Sequence, residues 1–326
     1  MHSWPVPKIE YGPLSLVEEE RSVALLYSRQ AWEALAGKLR ISISWQAEVL
    51  DATEAHWLDL ARDLRGEVVY AVGGGLAVDA AKYVASRQQL PLVSVPTALS
   101  VDAFLTWASG VRRAGCVTYL ETKPPDLLWV DFEVLAEAPA SIRAAGICDV
   151  LSIATGSWDW RFAEERNENL PSTRYLPYVD QVAQGILQGV LDCAEAAGHG
   201  DHDGLKQLLD CLVLEVQLCN AIGHSRPEEG SEHYFAYSVE NIMGKGLPHG
   251  DLVGPGLILM AGLQGQDVGP LKRALKACHI PLTNIPQTVI DTTLKQLPAY
   301  AREHGLAFGL AHVLDQGTPG VLPRLD

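Results

Sequence analysis

The chain has 326 residues, a length that suggests about two domains. Apolar residues make up 48% of it and charged residues 20%, which is ordinary for a globular protein and too apolar for general disorder. There are 40 acidic and 25 basic side chains, and the formal net charge is −15. This charge argues against a general nucleic-acid binder, which needs a basic surface, and it means that any anionic substrate must be met by local groups.

No apolar run in the sequence is long enough to predict a membrane span. The N-terminal residues lack the basic segment followed by an apolar segment that is typical of a secretory signal. Six cysteines are scattered without a C-x-x-C pair, which predicts reduced and mostly buried thiols. Together these features predict a cytoplasmic protein that binds a small molecule, with neither a nucleic-acid partner nor a membrane span.

The first part of the chain alternates short apolar, β-rich runs with segments of helical spacing. Strands that alternate with helices indicate βαβ units and a parallel sheet, and continuous apolar runs indicate strands covered on both faces. We predict strands at residues 21–27, 40–45, 67–72, 91–95 and 127–130, and helices at 30–38, 54–64 and 76–86.

The pattern changes near Pro139, after which β-branched runs nearly disappear. Helices are predicted at 140–160, 178–197, 204–223 and 232–243. We therefore predict two domains: an α/β nucleotide-binding domain with a parallel sheet at 1–139, and an all-α domain for metal and substrate at 140–326.

A glycine triplet follows the third predicted strand, in the segment VVYAVGGGLAVDAAK at 68–82. Glycines allow a tight turn and close approach of a ligand, and the free N–H groups of the following helix favour a phosphate. The dinucleotide motif G-x-G-x-x-G would need glycine where Val78 stands, and the Walker pattern fails as well. A tight turn without a ligand therefore remains an alternative.

Hydroxyl side chains follow the next predicted strand, in SVPTALSVD at 94–102, where Thr97 and Ser100 lie. Ligands of open α/β sheets bind outside the carboxyl ends of the strands. Two adjacent strand ends, one rich in glycine and one in hydroxyls, predict a nucleotide site more strongly than either loop alone.

Asp149, His233 and His249 are candidate metal ligands that are dispersed along the chain. The two histidines are 16 residues apart and cannot share a helix face, so they converge only if separate segments fold together. A carboxylate and two imidazoles leave open coordination positions, as a catalytic ion requires. Taken singly, each histidine also fits an ordinary hydrogen-bonded or surface position.

Five segments, in this order, resemble the sn-glycerol-1-phosphate dehydrogenases, within the superfamily of iron-containing alcohol dehydrogenases, glycerol dehydrogenases and dehydroquinate synthases. They read GGG-x-x-x-D-x-A-K, S-V-P-T-x-x-S-x-D, A-G-x-x-D, S-R-P-x-x-G-x-E-H and H-G-x-x-V-G-x-G. The resemblance implies a dehydroquinate synthase-like fold, with an N-terminal nucleotide domain and a helical metal domain. It also implies reduction of dihydroxyacetone phosphate to sn-glycerol 1-phosphate with NAD(P)H, a step of phospholipid metabolism, in a homo-oligomer.

The resemblance also implies roles for individual residues. Asp149, His233 and His249 would bind one divalent ion, with Zn²⁺ favoured over Ni²⁺ or Fe²⁺. Asp102 and Asp149 would contact the substrate, with Asp102 and the residue at 237 placed for catalysis. The cofactor would lie on Gly73, Gly74, Gly75, Asp79, Thr97, Ser100 and Thr106.

Two departures from the family bear on substrate and cofactor. Tyr237 stands where the family has a substrate-contacting histidine, and a phenol carries no positive charge at neutral pH. Relatives often have an aspartate after the first strand, where this chain reads Tyr27-Ser28-Arg29, which favours NADPH. Arg226 is our candidate partner for a substrate phosphate, because guanidinium binds phosphate bidentately. A structural role fits Arg226 equally well.

Two other functions remain as alternatives to a metal-dependent, NAD(P)-linked dehydrogenase. A carbocycle-forming lyase of the dehydroquinate synthase type uses the same scaffold, but Asp149 and the few basic residues argue against it. A non-catalytic homologue that binds the nucleotide without turnover would explain Tyr237.

Overall fold

The computed structural model describes residues 4–35, 37–244, 246–316 and 325. Its strands are β1 (Lys8–Tyr11), β2 (Val23–Tyr27), β3 (Ile43–Glu48), β4 (Val68–Val72), β5 (Leu92–Val95), β6 (Ala108–Arg113), β7 (Cys116–Glu121) and β8 (Leu127–Val130). Six of them form one sheet in the order β1-β8-β5-β4-β2-β3, and every neighbouring pair is parallel. The predicted parallel sheet is therefore confirmed.

Helices cover the sheet and then build the rest of the chain. They are α1 (Arg29–Ala34), α2 (Glu54–Asp63), α3 (Gly75–Gln88), α4 (Phe132–Glu137), α5 (Ala140–Arg143), α6 (Ile147–Leu151), α7 (Ile153–Glu165), α8 (Pro177–His199), α9 (His202–Ile222), α10 (Ser231–Met243), α11 (His249–Leu263), α12 (Gly269–Ala277) and α13 (Gln287–Glu303). The fold is thus an α/β region followed by a helical region, as the change of pattern at Pro139 predicts.

The central strands are buried on both faces, which is why they read as continuous apolar runs. All five residues of β4 are buried, and so are all four of β5. Burying a side chain such as valine or leucine contributes roughly 1.5–3 kcal/mol. This burial fixes the strand ends from which the two predicted cofactor loops emerge.

The hairpin of β6 and β7 was not among the predicted elements. Its turn is Ala114-Gly115, where both residues have positive φ, at 50° and 79°. Two positive φ values are typical of the tight turns that join antiparallel strands. The hairpin extends from the sheet toward the helical region, where Arg112 pairs with Glu240 of α10.

The helix predicted over 140–160 is divided into α5, α6 and α7 in the structure. The division brings the helical region against the loop after β5: the amide of Gly146 donates to the carbonyl of Leu99 at 2.7 Å. A Cβ on Gly146 would lie 3.0 Å from that carbonyl oxygen, so a larger residue would force the two segments slightly apart. The break therefore positions α6 beside the predicted cofactor loop.

Two further expectations concern burial and membranes. All six cysteines are free and buried, as their spacing predicts. Within the described ranges, no helix combines the length and apolar character needed to cross a bilayer.

Candidate metal and nucleotide site

The glycine triplet forms the predicted turn between β4 and α3. Gly73 has a φ of +140°, which L side chains rarely adopt. Gly74 is the N-cap of α3, and Gly75 is the first residue of the helix. A Cβ on Gly73 would lie 2.4 Å from Ser28 Oγ, at the end of the neighbouring strand β2. The first amides of α3 therefore stand at the sheet edge, where a phosphate fits.

The second predicted loop lies directly against this turn. A Cβ on Gly74 would be 3.1 Å from Ser100 Oγ, and one on Gly75 would be 3.1 Å from Val101. Thr97 follows β5, the sheet neighbour of β4. The two loops are thus brought together as the sequence predicts, and both lie at the carboxyl ends of parallel strands.

Asp79 and Thr106, two predicted cofactor contacts, are linked through a fully buried lysine. The Nζ of Lys82 lies 2.9 Å from Asp79 Oδ1 and 3.0 Å from Thr106 Oγ1. It also donates to the carbonyls of Ala103 and Ala108. This cation holds the 103–108 segment onto α3, and the roles of Asp79 and Thr106 toward a cofactor remain predictions.

The three dispersed candidate ligands converge on one point. One ligand atom from each of Asp149, His233 and His249 lies within 4.8 Å of the others. Asp149 Oδ1 is 2.7 Å from His249 Nε2 and 4.0 Å from His233 Nε2. Each residue comes from the start of a helix: α6, α10 and α11 respectively. The arrangement is that of a three-ligand site for a divalent ion with open positions.

Close helix packing explains how His249 reaches this point. Pro248 caps α11, so His249 is the first residue of the helix. A Cβ on Gly250 would lie 3.2 Å from Ala145, so the small residue lets the start of α11 press against the segment before α6. Gly250, next to His249, therefore serves packing at the site.

Glu232 orients His233 and supplies negative charge. Its Oε1 lies 2.8 Å from His233 Nδ1, which leaves Nε2 for the centre. Burial disfavours a positive charge on His233, but the hydrogen bond and charge of Glu232, with Glu229 and Asp149, raise its pKa to about 9. An environment that attracts a positive charge fits a divalent cation, so the donor set matches the predicted metal.

Asp102 lies beside Asp149, one of the three candidate ligands. Its backbone amide donates to Asp149 Oδ2 at 2.9 Å. Burial, and then the charge of Asp149, raises the pKa of the Asp102 carboxyl to about 8. Its contact with a substrate remains a prediction.

Tyr237 lies one turn beyond His233 on α10, and the two rings are 6.1 Å apart. Its hydroxyl donates to Glu229 Oε1 at 2.7 Å and lies 3.0 Å from the hydroxyl of Tyr119 on β7. Burial, followed by the charge of Glu229, raises the pKa of Tyr237 well above its ordinary value. The phenol is therefore a neutral hydrogen-bonding group beside His233, one of the candidate metal ligands.

Arg226 is 4% exposed and already bonded. One of its terminal nitrogens donates to the carbonyls of Asp159 and Phe308, at 3.2 and 2.7 Å. Its other two nitrogens are buried without a partner. The role of Arg226 toward a phosphate remains a prediction.

Arg29, the residue that favours NADPH in the sequence, pairs with Glu48 at the end of β3. The pair lies at the edge of the sheet next to Ser28, which touches the glycine turn. The guanidinium is thus present at the expected place, but its charge is balanced by a carboxylate.

Sequence reasoning missed three residues of the site: Glu232, Glu229 and Tyr119. Glu232 adjoins a proposed ligand, and a carboxylate that holds a metal-binding histidine is a common arrangement, so its position was a usable signal. Glu229 and Tyr119 meet Tyr237 only through folding. The sequence carries no local sign of that contact.

Comparison of the sequence with known proteins finds a matching family and several relatives that are named glycerol-1-phosphate dehydrogenase. A family profile described as iron-containing alcohol dehydrogenase matches residues 11–139. The glycerol-1-phosphate dehydrogenase (NAD(P)+) of Aeropyrum pernix is 34% identical over 248 residues, which cover 74% of this chain and 68% of that protein. The enzyme of the same name from Sulfurisphaera tokodaii is 32% identical over 240 residues, 72% and 67% of the two chains. The matches thus span about two thirds of the length of these relatives.

Structural comparison agrees on the fold. The structure of a probable glycerol dehydrogenase from Sinorhizobium meliloti superposes with a TM-score of 0.71, at 19% identity, over 100% of this chain and 95% of that one. At this identity the likeness shows the fold alone. It confirms the predicted architecture of an α/β region followed by a helical region.

Proposed function

Because the chain belongs to the glycerol-1-phosphate dehydrogenase family within the iron-containing alcohol dehydrogenases, we propose that it is a metal-dependent, NAD(P)-linked reductase of a small hydroxyketone. The observation that carries the proposal is the convergence of Asp149, His233 and His249 beside two strand-end loops suited to a phosphate. The relatives' name makes dihydroxyacetone phosphate the reference substrate, with sn-glycerol 1-phosphate as its product.

The reaction balances without a covalent intermediate. Bound NAD(P)H would supply a hydride to the carbonyl carbon and solvent a proton to the oxygen, so that the products would be an alcohol and NAD(P)+. A divalent ion held by the three ligands would polarise the carbonyl as a Lewis acid. Glu232 fixes the ring of His233, and the backbone of Asp102 fixes Asp149.

The first amides of α3 would hold the phosphates of the cofactor. Gly73, Gly74 and Gly75 let the side chains of Ser28, Ser100 and Val101 pack against this turn. Thr97 and Ser100 would supply hydroxyls to the cofactor. Gly146 brings α6 against the same loop, so the cofactor and the metal would meet in one cleft.

The test is NAD(P)H oxidation by purified protein before and after reconstitution with Zn²⁺, Ni²⁺ or Fe²⁺. We expect turnover that a chelator abolishes and that added metal restores. His249→Ala should lose metal and activity together and still fold, because its side chain is 31% exposed. His202→Ala, at a histidine that is 48% exposed, is the matched control. Full activity without metal, or retention of cofactor without turnover of any ketone, would contradict the proposal.

A further inference from the structure

Asp159, on α7, is a fully buried carboxylate that accepts four hydrogen bonds. Its Oδ2 accepts the backbone amide of Ser231 at 2.8 Å and also the hydroxyl of Ser231. Its Oδ1 accepts the amide of Leu310 at 2.9 Å and the side-chain amide of Gln264 at 3.2 Å. These four donors replace the water that a carboxylate loses on burial.

This carboxylate caps the helix that carries His233. Helix α10 begins at Ser231, and its N-cap, Gly230, has no side chain that could accept the first amides of the helix. Glu232 accepts the amide of Gly230, and Asp159 accepts the amide of Ser231. A negative charge is also favourable at the N-terminal end of a helix. Asp159 therefore fixes the first turn of α10 from another helix, two residues before His233.

Glycines on both partner segments let Asp159 approach so closely. A Cβ on Gly309 would lie 2.3 Å from Asp159 Oδ2, and one on Gly230 would lie 2.9 Å from the same oxygen. Both distances are shorter than a van der Waals contact. A side chain at either position would therefore push the carboxylate away from its donors.

The C-terminal segment, which we define as residues 308–312, is attached to the start of α10 by the same contacts. Besides the amide that Asp159 accepts, the amide of Ala311 donates to Ser231 Oγ at 2.8 Å. Arg226 donates to the carbonyl of Phe308 at 2.7 Å and to the backbone of α7. None of the five family segments in the sequence extends to residues 308–312, so the sequence alone assigns them no role.

The position of His233 decides whether the three candidate ligands can hold one ion. Asp149 Oδ1 and His249 Nε2 are 2.7 Å apart, whereas His233 Nε2 is 4.0 Å from the same oxygen. Glu232 orients the ring of His233, but the place of the ring follows the first turn of α10. Because metal–ligand distances must be met to within about 0.2 Å, a small shift of this turn would weaken the site.

We propose that Asp159 and Ser231 are positioning residues of the metal site, and that the C-terminal segment acts through them on the affinity for the divalent ion. This rests on the function proposed above, because it requires Asp149, His233 and His249 to bind the ion. Neither positioning residue is a ligand: Asp159 acts on His233 through the backbone of Ser231. The C-terminal segment thereby contributes to metal affinity without supplying a ligand.

The first experiment measures Zn²⁺ affinity by competition with a chelator, and the absorption spectrum of the Co²⁺-loaded protein, which reports ligand geometry. Asp159→Asn keeps the shape of the side chain but places an NH₂ group against amides that need an acceptor. We expect Zn²⁺ to bind about tenfold or more weakly, the scale on which groups behind metal ligands act. The Co²⁺ bands should shift as well.

Asp131→Asn is the matched control. Asp131 is a carboxylate of 9% exposure that accepts the amides of Leu14 and Glu133, between the N-terminal segment and α4. Its variant should unfold at lower urea concentration but keep the Zn²⁺ affinity and the Co²⁺ spectrum of the unaltered protein. If Asp159→Asn behaves in the same way, Asp159 serves stability alone and the proposal is overturned.

Two variants of Leu310 test the C-terminal segment. Leu310 is the first residue of a short helical turn, a position that accepts proline. Leu310→Pro removes the amide that Asp159 accepts, whereas Leu310→Ala keeps this amide and shortens the same buried side chain. We expect Zn²⁺ to bind about tenfold more weakly to the proline variant than to the alanine variant. Equal affinities would overturn the role of the segment.

Ser231→Ala provides the test if Asp159→Asn does not fold. It removes the hydroxyl that joins Asp159 to Ala311 and leaves the backbone amide in place. Weaker Zn²⁺ binding with a changed Co²⁺ spectrum would support the proposal, and unchanged values would overturn it. Failure of the unaltered protein to bind Zn²⁺ or Co²⁺ is a different result, because it would defeat the metal site itself and the positioning role with it.

Discussion

Glu232 Oε1 lies 2.8 Å from His233 Nδ1, and it also accepts the amide of Gly230 at 2.7 Å. One carboxylate oxygen thus joins the turn before α10 to the imidazole that would bind the metal. The ring is held with its other nitrogen toward Asp149, before any metal arrives. This contact leads to the first of four predictions.

Glu232→Gln should weaken metal binding by about 10–100-fold, because the ring of His233 loses a charged acceptor that fixes its tautomer and orientation. The measurement is competition for Zn²⁺ against a chelator of known affinity. Glu195→Gln provides the control for loss of one negative charge at an exposed site. Equal affinity in the variant and the unaltered protein would show that Glu232 has no such role.

Lys82→Met should destabilise the protein by about 3–5 kcal/mol, because it leaves the partly buried Asp79 and several carbonyls without their cation. Urea unfolding monitored by tryptophan fluorescence gives the free energy of unfolding. Lys206→Met removes an i,i+4 pair with Asp210 on α9 and should cost only about 0.3–0.5 kcal/mol. Similar losses in the two variants would refute a structural role for Lys82.

Glu48→Gln should shift cofactor preference toward NADPH. The charge of Arg29 is balanced by Glu48 in the structure, and removal of that carboxylate frees the guanidinium for a 2′-phosphate. We expect kcat/KM for NADPH relative to NADH to rise by about tenfold, which corresponds to roughly 1.4 kcal/mol. Arg29→Ala should move the ratio in the opposite direction. If neither variant changes it, the adenosine ribose lies elsewhere.

His224→Asn should make the protein less sensitive to acid. Burial, followed by the charge of Arg226, lowers the pKa of His224 to about 4. The folded state therefore binds this proton less readily than the unfolded chain, whose histidine has a pKa of about 6.5. The stability that depends on neutral His224 is complete above that value and is lost as the pH falls toward 4.

The check is the urea midpoint at about pH 7.5 and about pH 5, on either side of the ordinary histidine pKa. The unaltered protein should lose more stability between these pH values than the variant does. Asparagine keeps a carbonyl that can accept the amide of Arg226, as the Nδ1 of His224 does. An equal loss in both proteins would assign the acid sensitivity to other groups.

The sheet and its loops could be predicted because their sequence signals are local. Strand β4 runs directly into Gly73. A continuous apolar run followed by glycines is typical of a buried strand that ends in a tight turn. The hairpin of β6 and β7 could not be predicted, because the sequence of β6, ASGVRR, has neither an apolar run nor a regular alternation of apolar and polar residues. The single helix expected over 140–160 was wrong because tertiary contact with Leu99 breaks it at Gly146.

The candidate metal ligands could be nominated from their chemistry, but only the family resemblance joined the three into one site. Asp149 and His233 are separated by several helices, and no spacing rule joins them to His249. The contact of Glu229 with Tyr237 could not be predicted for a related reason, because Glu229 reads as an ordinary acidic residue of a polar loop. The two side chains meet only when the chain folds.

The two carboxylate oxygens of Asp149 contact different parts of the candidate site. One oxygen lies with the histidines at the metal centre, and the other accepts the amide of Asp102, in the loop that follows Ser100. An ion bound there, as we propose, would withdraw charge from the first oxygen and through the carboxylate from the second, which would link its affinity to that of a nucleotide on this loop. Linkage is reciprocal: whatever factor the ion adds to nucleotide affinity, the nucleotide must return to the ion. Depletion of one ligand should then hasten release of the other.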